Sequence, residues 1–485
     1  MIATKSIKNF PLAYRSLEME TLTSWLKTGQ SGSVTGLPGC GRSNLLDFLC
    51  HRPDVLREQQ YLGTEADQVV VIPVDLNHLP TYDTATFYRV ILRALHLASD
   101  RLPQNLHQSI TGLYLEYRTS QDPFITQSGL YDALYAFQSE EKRVALVFNY
   151  FDRFCQEADR RLFATLRGLR DSFKEMLSFI VGMSREIRYL PTPEALGDLY
   201  PLLDSNVCWV GPMNEADSRW VIEQALYAVP DSPHEAEIKK FLTLSGGYPV
   251  LLRYITAWWS KQTPKPPIET WPDLLLDEHT FEHRLNALWN GLTQEEQSAL
   301  MAVQLAMSRI HKKKNLPGID EQAIDNLVTQ TVKLISRNHG QIMPRLVTKG
   351  ICQQTEQGWQ ILSQLWADYI SRLELPNDHR GKLELKSKTG DVMQDGRPIK
   401  LAPQEDALLK FLLKHPYERH DYGTLILEVW PADHDPSSRR QDLFQLVRSV
   451  RRKVETDPSR PRYLKNWTDQ RNGGYQLYPE GKPGA

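Results

Sequence analysis

The tightest constraint on this chain is the run Gly36-Leu37-Pro38-Gly39-Cys40-Gly41-Arg42-Ser43. A short strand-like stretch, Gly32–Thr35, leads into it, and Asn44 and the helical pattern LLDFL follow. This is the strand–loop–helix context that a phosphate-binding loop requires. Glycines at 36, 39 and 41 let backbone N–H groups curl around phosphate oxygens, and the start of the next helix favours the anion. Ser43 is placed to ligate Mg²⁺. Arg42 stands where the pattern has lysine: lysine is a compact point charge, whereas arginine is bulkier and planar. Nucleotide binding is expected to survive that exchange better than fast phosphoryl transfer.

Around the loop, apolar strands alternate with helices. Val69–Leu76, Arg143–Phe148 and Ser178–Gly182 read as strands, and Thr84–Ala98 and Asp159–Phe173 as helices. Such alternation predicts a parallel sheet covered on both faces. At 485 residues the chain is long enough for three or four domains. Two seams suggest where they meet: the proline-rich Lys261–Pro272 and the polar Leu375–Gly381. The predicted order is an α/β domain over 1–200, a helical lid over 201–262, a mostly helical, winged-helix-like domain over 271–374, and an α+β winged helix over 380–479. Thr293 and Glu296 have capping-box spacing ahead of an apolar helix.

Apolar residues at 41% and charged residues at 24% exclude global disorder and fibrous architectures. No apolar run is long enough to span a membrane, and MIATKSIKNFPLAYR has no secretory h-region. The five cysteines, Cys40, Cys50, Cys155, Cys208 and Cys352, form no CxxC pair. Neither a disulfide framework nor a cysteine zinc site is expected, and a reducing cytoplasm is.

A second strand end bears on chemistry. The strand Val144–Phe148 runs into Asn149-Tyr150-Phe151-Asp152-Arg153. Phosphoryl transfer normally places a metal-binding acid and a water-activating carboxylate there. Asn149 holds the first position without charge, and Tyr150 the second without a carboxylate. Asp152 is a candidate substitute and, equally, a candidate N-cap for the next helix. At most a weak ATPase is expected.

Net charge is −2, yet the distribution is uneven. From Arg380 onward there are 20 Lys/Arg against 15 Asp/Glu, and between Arg439 and Arg471 there are 10 against 4. A basic terminal segment is the footprint expected of a DNA-binding domain, or alternatively of a solvated helix face. Within it Leu443, Val447, Val450 and Val454 recur at helical spacing as one buried stripe. Gln441, Gln445, Arg448 and Arg452 recur at the same steps on another face, polar and cationic as a helix in the major groove should be.

Four further segments carry a family resemblance. They are Tyr14-Arg15-Ser16-Leu17-Glu18 with Leu22 and Leu26, Gly182-Met183-Ser184-Arg185, Gly211-Pro212, and Ser245-Gly246-Gly247-Tyr248-Pro249. With the phosphate loop, they make the first 260 or so residues resemble a STAND-type, AAA-like P-loop NTPase. The resemblance implies ATP or ADP as ligand, with Mg²⁺. It puts Arg15 beside the adenine, Arg185 at the terminal phosphate and Pro212 in the lid that closes on the base, alongside Gly36, Gly39, Gly41, Arg42, Ser43, Asn44 and Asn149. Arg345–Ile351, Gln360–Ser363 and Leu365–Ile370 resemble the structural winged helix that follows such ATPases.

Gly381–Leu477 resembles the OmpR/PhoB-type winged-helix effector. Leu401-Ala402-Pro403-Gln404-Glu405 matches its first helix, with Ala402 for threonine. Tyr422–Trp430 matches its second and Ser438–Glu455 its recognition helix, and Gly474–Leu477 closes the wing, where Arg471 and Asn472 lie. Asp395-Gly396 is expected at a turn between strands. Lys453 and Arg471 are flank and wing candidates for phosphate contacts. Together the resemblances imply a nucleotide-gated transcriptional regulator that binds double-stranded DNA, with self-association in one nucleotide state and no membrane partner. The rivals are an ATP-hydrolysing DNA-remodelling or defence machine, and a scaffold whose last domain binds protein.

Overall fold

The computed structural model describes residues 9–76, 79–314, 321–356, 358–373, 381–386, 390–431, 439–455, 458, 461–468 and 473–481. The chain forms two compact units, Met1–Leu373 and Glu374–Ala485.

The first unit is built on a five-stranded sheet in the order β2-β3-β4-β1-β5, with every pairing parallel. Its strands are β1 (Gly32–Thr35), β2 (Val69–Val74), β3 (Arg143–Phe148), β4 (Leu177–Met183) and β5 (Val207–Trp209). β4 is buried along its whole length, as is β3 after Arg143, because helices cover both faces. β1 and β3 have the limits expected of them. β2 stops at Val74, short of Leu76, and β4 is a residue longer at each end. β5 has no counterpart in the sequence reading: three residues carry no periodicity, and only pairing with β1 makes them a strand. The sheet therefore reaches Trp209, beyond residue 200 where the α/β pattern fades. Two helices ahead of β3, Gln104–Tyr117 and Pro123–Ser139, add to the predicted pattern; they share a core with Thr84–Ser99 through Ile91, Leu95, Ile110, Leu134 and Phe137.

Because β1, β3 and β4 are adjacent and parallel, their carboxyl ends open on one edge. The loops after Thr35, Phe148 and Met183 meet there, which is where open α/β sheets place their ligand crevices.

Three helices follow, Glu215–Leu226, Glu235–Ser245 and Pro249–Lys261. Further helices, including Gln294–Lys314 and Gln364–Arg372, flank the antiparallel hairpin β6 (Cys352–Thr355) and β7 (Gly358–Ile361). One core joins them to the sheet, running from Leu45 through Phe241, Trp271 and Leu300 to Trp366. The seam Lys261–Pro272 thus lies inside the unit. Two glycines make the approach of these helices feasible. Gly246 and Gly247 adopt φ of 58° and 79°, and added Cβ atoms would lie 2.6 Å from the Leu362 carbonyl carbon and 2.4 Å from the Met213 oxygen. Thr293 and Glu296 form the reciprocal capping box that their spacing predicts.

The second unit has its own core of Leu408, Leu412, Leu425, Leu443, Val447, Leu464 and Leu477. Two antiparallel sheets flank three helices, Pro403–Lys414, Tyr422–Val429 and Arg440–Val454. One sheet orders β10 (Arg397–Pro398), β9 (Val392–Gln394) and β8 (Leu383–Leu385); the other orders β11 (Arg419–Asp421), β13 (Gly473–Leu477) and β12 (Leu464–Thr468). Asp395 and Gly396, at φ of 51° and 71°, form the expected two-residue turn between β9 and β10. The seam residues 375–380 lie outside the described residues. Among the described residues, no helix is long and apolar enough to cross a membrane.

Candidate nucleotide cleft and nucleic-acid interface

The phosphate loop connects β1 to the helix Arg42–His51. Gly39 and Gly41 take φ of 80° and 92°, which bulky residues reach only under strain. A Cβ at Gly36 would lie 2.5 Å from the Cys40 sulfur, and one at Gly39 would lie 2.6 Å from Val250. Val250 stands at the head of the Pro249–Lys261 helix and donates its N–H to the Gly39 carbonyl. The loop and that helix enclose a cleft of ≈ 820 Å³. Gly36, Gly39, Gly41, Arg42, Ser43 and Asn44 all line it.

The end of β3 forms the opposite wall. Tyr150 sits at φ 56° and starts the short helix Phe151–Glu157. A tyrosine held in the left-handed region is strained and persists because its surroundings fix it. The Arg42 and Arg153 guanidiniums lie 5.6 and 5.0 Å from its ring centroid. Its hydroxyl accepts from Ser43 Oγ at 3.2 Å. Asn149 Oδ1 accepts from the Tyr150 N–H at 3.0 Å and from Ser43 Oγ at 3.5 Å. The serine hydroxyl that would meet a cation is thus turned onto a phenol and an amide. Asp152 is the one carboxylate lining the cleft among the described residues. It does not cap a helix: Tyr150 holds that position, and Asp152 Oδ2 accepts from the Ser184 N–H and hydroxyl, tying the end of β3 to that of β4. Its Oδ1 is buried and has no hydrogen-bond partner. One serine, one asparagine and one partly committed carboxylate are a poor protein ligand set for Mg²⁺, which takes near-octahedral hard oxygens and would here depend on the nucleotide's own phosphates and on water for most of them.

The residues assigned to the base and the sensor are placed differently. Arg15 is 2% exposed and serves as a staple. It donates to Glu18, to the carbonyls of Gly211 and Pro212, and to the Cys40 carbonyl inside the phosphate loop. Its own N–H meets Asp217, whose carboxyl is pushed above the usual range by burial in spite of that contact. Pro212 packs against Gly350, where an added Cβ would lie 2.3 Å from its ring. Arg185 donates to the Asn290 carbonyl at 2.9 Å and is not among the cleft-lining residues. Conversely, Arg153, Arg253, Tyr254 and Arg284 line the cleft without having been read as site residues. Arg153 was within reach, one residue beyond Asp152. Arg253 and Arg284 come from separate helices and carry no local signal.

In the second unit, the Arg440–Val454 helix buries Leu443, Val447, Val450 and Val454. Gln441, Gln445, Arg448 and Arg452 are all exposed. Lys453 is instead turned inward, donating to Glu405 at 2.5 Å and to the Lys400 carbonyl at 3.0 Å. Glu405 also takes the Ala402 N–H, a capping role that matters because alanine offers no hydroxyl of its own. Burial alone would raise Glu405, but the bonds from Lys453, Ala402 and Ser449 hold it below the usual carboxylate range. Arg451 fixes β12 through the Leu464 carbonyl, and buried Glu455 accepts the N–H groups of Arg462, Tyr463 and Leu464. Arg471, Asn472 and Ser438 lie outside the described residues.

Known proteins resemble both parts of the chain to different degrees. A Walker-type ATPase of Pyrococcus abyssi superposes with a TM-score of 0.41 and 15% identity, covering 74% of this chain and 95% of its own. The alkaline phosphatase synthesis transcriptional regulatory protein SphR of Synechococcus elongatus is 33% identical over 86 residues, 18% of this chain and 32% of that protein. A probable transcriptional regulatory protein of Picosynechococcus sp. is 35% identical over 69 residues, 14% of this chain and 27% of that protein. The chain therefore spans about a third of the length of these curated relatives. Over residues 396–477 it matches the family model described as transcriptional regulatory protein, C terminal, the OmpR/PhoB-type domain.

Proposed function

We propose that this protein is a nucleotide-gated DNA-binding transcriptional regulator of the cytoplasm, with a STAND-like ATP/ADP switch in its first unit and a winged-helix effector in its second. One observation carries the DNA reading: a helix inside the matched domain buries one stripe and leaves Gln441, Gln445, Arg448 and Arg452 exposed together. Arginine and glutamine at that spacing suit base edges, with Arg448 in mid-face able to make two bonds to guanine. Arg471 is proposed for a phosphate or minor-groove contact at the wing.

The gating half is supported by Arg15. It joins the phosphate loop to Gly211 and Pro212, a link through which a ligand on the loop could act on the lid segment. A ligand that binds one arrangement better shifts the population toward it. One nucleotide state would then favour self-association and paired half-sites. Hydrolysis has little support, because Asn149 and Tyr150 stand where acids are needed. The test is anisotropy of labelled operator DNA with the full-length protein in ATP, in ADP and without nucleotide. Affinity that differs among the three, and becomes uniform in Arg42→Ala, supports gating; uniform affinity in the wild type refutes it.

A further inference from the structure

The cleft is strongly cationic. Arg42, Arg153, Arg253 and Arg284 line it, against Asp152 alone among the described carboxylates. Arg42 is the most informative of them. It is only 9% exposed, its Nε has no hydrogen-bond partner, and its guanidinium meets the face of Tyr150. A buried cation without an acceptor is costly, so its donors are expected to serve something that enters the cleft. Arg42 also heads a ten-residue helix whose first N–H groups point the same way. Arg284 is braced by Tyr254, whose hydroxyl takes two of its N–H groups.

A divalent cation would enter this set at a disadvantage. Ser43 donates its proton toward Tyr150 and Asn149, Asn149 accepts the Tyr150 N–H, and neither side chain carries charge. On the protein's side the ion would meet four guanidiniums and only one half-committed carboxylate, so any hold on it would have to come from the phosphates. A polyphosphate meets the opposite balance. Guanidinium is planar, permanently charged and weakly hydrated, and its fork matches phosphate oxygens two at a time.

We propose that this cleft binds the polyphosphate of a nucleotide without a divalent cation, Arg42, Arg153, Arg253 and Arg284 supplying the neutralising charge. The proposal rests on the nucleotide reading above and narrows it. It gives the arginine in the lysine position a purpose: a planar donor is useful where no metal shares the oxygens. It also accounts for acids being replaced at Asn149 and Tyr150, since carboxylates unscreened by a metal would repel the ligand.

The experiment is calorimetric titration of ATP and of ADP into the full-length protein, once in EDTA and once in millimolar Mg²⁺. The expected result is a Kd that agrees within about threefold between the two conditions, far less than an essential metal would impose. Binding in Mg²⁺ that disappears in EDTA overturns the metal-free proposal and leaves the nucleotide reading intact. No binding in either condition overturns both. Arg42→Ala should weaken binding in EDTA by about tenfold or more. Arg153→Ala, at an exposed position where folding is not at stake, should weaken it severalfold; wild-type affinity in both variants removes the arginines from the account. Asp152→Asn guards against the remaining alternative, a cation held on its free Oδ1. If Mg²⁺ strengthens wild-type binding and Asp152→Asn erases that gain, the metal is real and the proposal fails.

Discussion

The cleft and the Arg440–Val454 helix are both cationic surfaces, but they are assembled in opposite ways. The helix takes its exposed face from a single run, so steps of four and three residues decide which side chains are buried. The cleft draws Arg42, Arg153, Arg253 and Arg284 from four separate elements, brought together by the sheet order and by a helix packed on the phosphate loop. The first kind of surface is local in the chain and readable as period. The second exists only after folding. Even the strongest local motif, Gly36–Ser43, says nothing about what the cleft's far wall holds.

The sharpest way to break this comparison is to disturb the non-local assembly where it is most buried. Lys349 Nζ lies 2.5 Å from Glu296 and 4.6 Å from the Trp209 ring centre, with both partners of the ion pair nearly excluded from solvent. The pair joins the capping box of the Gln294–Lys314 helix to the residue just before Gly350, which packs on Pro212. Lys349→Ala should therefore cost about 3–5 kcal/mol, mostly because Glu296 is left as a buried unpaired charge. Urea unfolding followed by tryptophan fluorescence measures this, and Lys349→Met with Glu296→Gln, which removes the buried charge but keeps an oxygen for the Thr293 N–H, should recover part of the loss. A single variant as stable as the wild type would mean that the pair is incidental.

On the helix, Leu443→Ala should cost about 2–5 kcal/mol through the lost contacts and the cavity it leaves. The loss should appear in the unfolding of the second unit, with nucleotide binding unchanged. A cost below about 1 kcal/mol would be surface-like and would sever the link between period and burial.

These two sites mark the limit of what the residues alone disclose. Strand β3 was legible from its apolar run RVALVF, β1 because it leads into the glycine loop, and the turn at Asp395-Gly396 because its residues accept positive φ. The stripe over Leu443–Val454 was legible for the reason just given. β5 was not: Val207–Trp209 owes its strand state to its register with Ser33–Thr35. Nor was the inward turn of Lys453, because nothing in the run RSVRRKV says that Glu405 lies within reach of it. Arg185 shows the same limit, since its partner Asn290 belongs to a helix of the middle region. Side chains whose partners are distant in sequence are assigned by packing, and packing leaves no periodic trace.

Smaller effects separate base reading from general affinity. Arg448→Ala should reduce discrimination between native and scrambled DNA by about 1–3 kcal/mol, the worth of one two-bond contact to a base edge. Competition at fixed salt shows it, and an equal loss on both DNAs would place Arg448 on the backbone.

The smallest expected effect tests whether Lys453 belongs to the DNA face or to the fold. It donates to Glu405, and Glu405 in turn accepts the Ala402 N–H at the start of the Pro403–Lys414 helix and the hydroxyl of Ser449 on the Arg440–Val454 helix. Those bonds keep Glu405 below the usual carboxylate range in the folded state. A depressed folded pKa contributes stability that is fully present above the unfolded value of about 4.3 and is lost as pH falls through the folded one. Glu405→Gln should cost the second unit about 1 kcal/mol at pH 7, a small figure for a charged hydrogen bond because Glu405 is buried but its partner Lys453 is only half-buried. Its stability should then change less than the wild type's between about pH 5 and pH 3, because the group that titrates has gone. Lys453→Met should lower stability at pH 7 in the same sense while leaving the salt slope of DNA binding where it was. A phosphate contact behaves otherwise, since its removal flattens that slope by about one unit. A flattened slope with unchanged stability would return Lys453 to the DNA face, and the brace between Glu405 and the Arg440–Val454 helix would then be a contact the protein gives up when it binds.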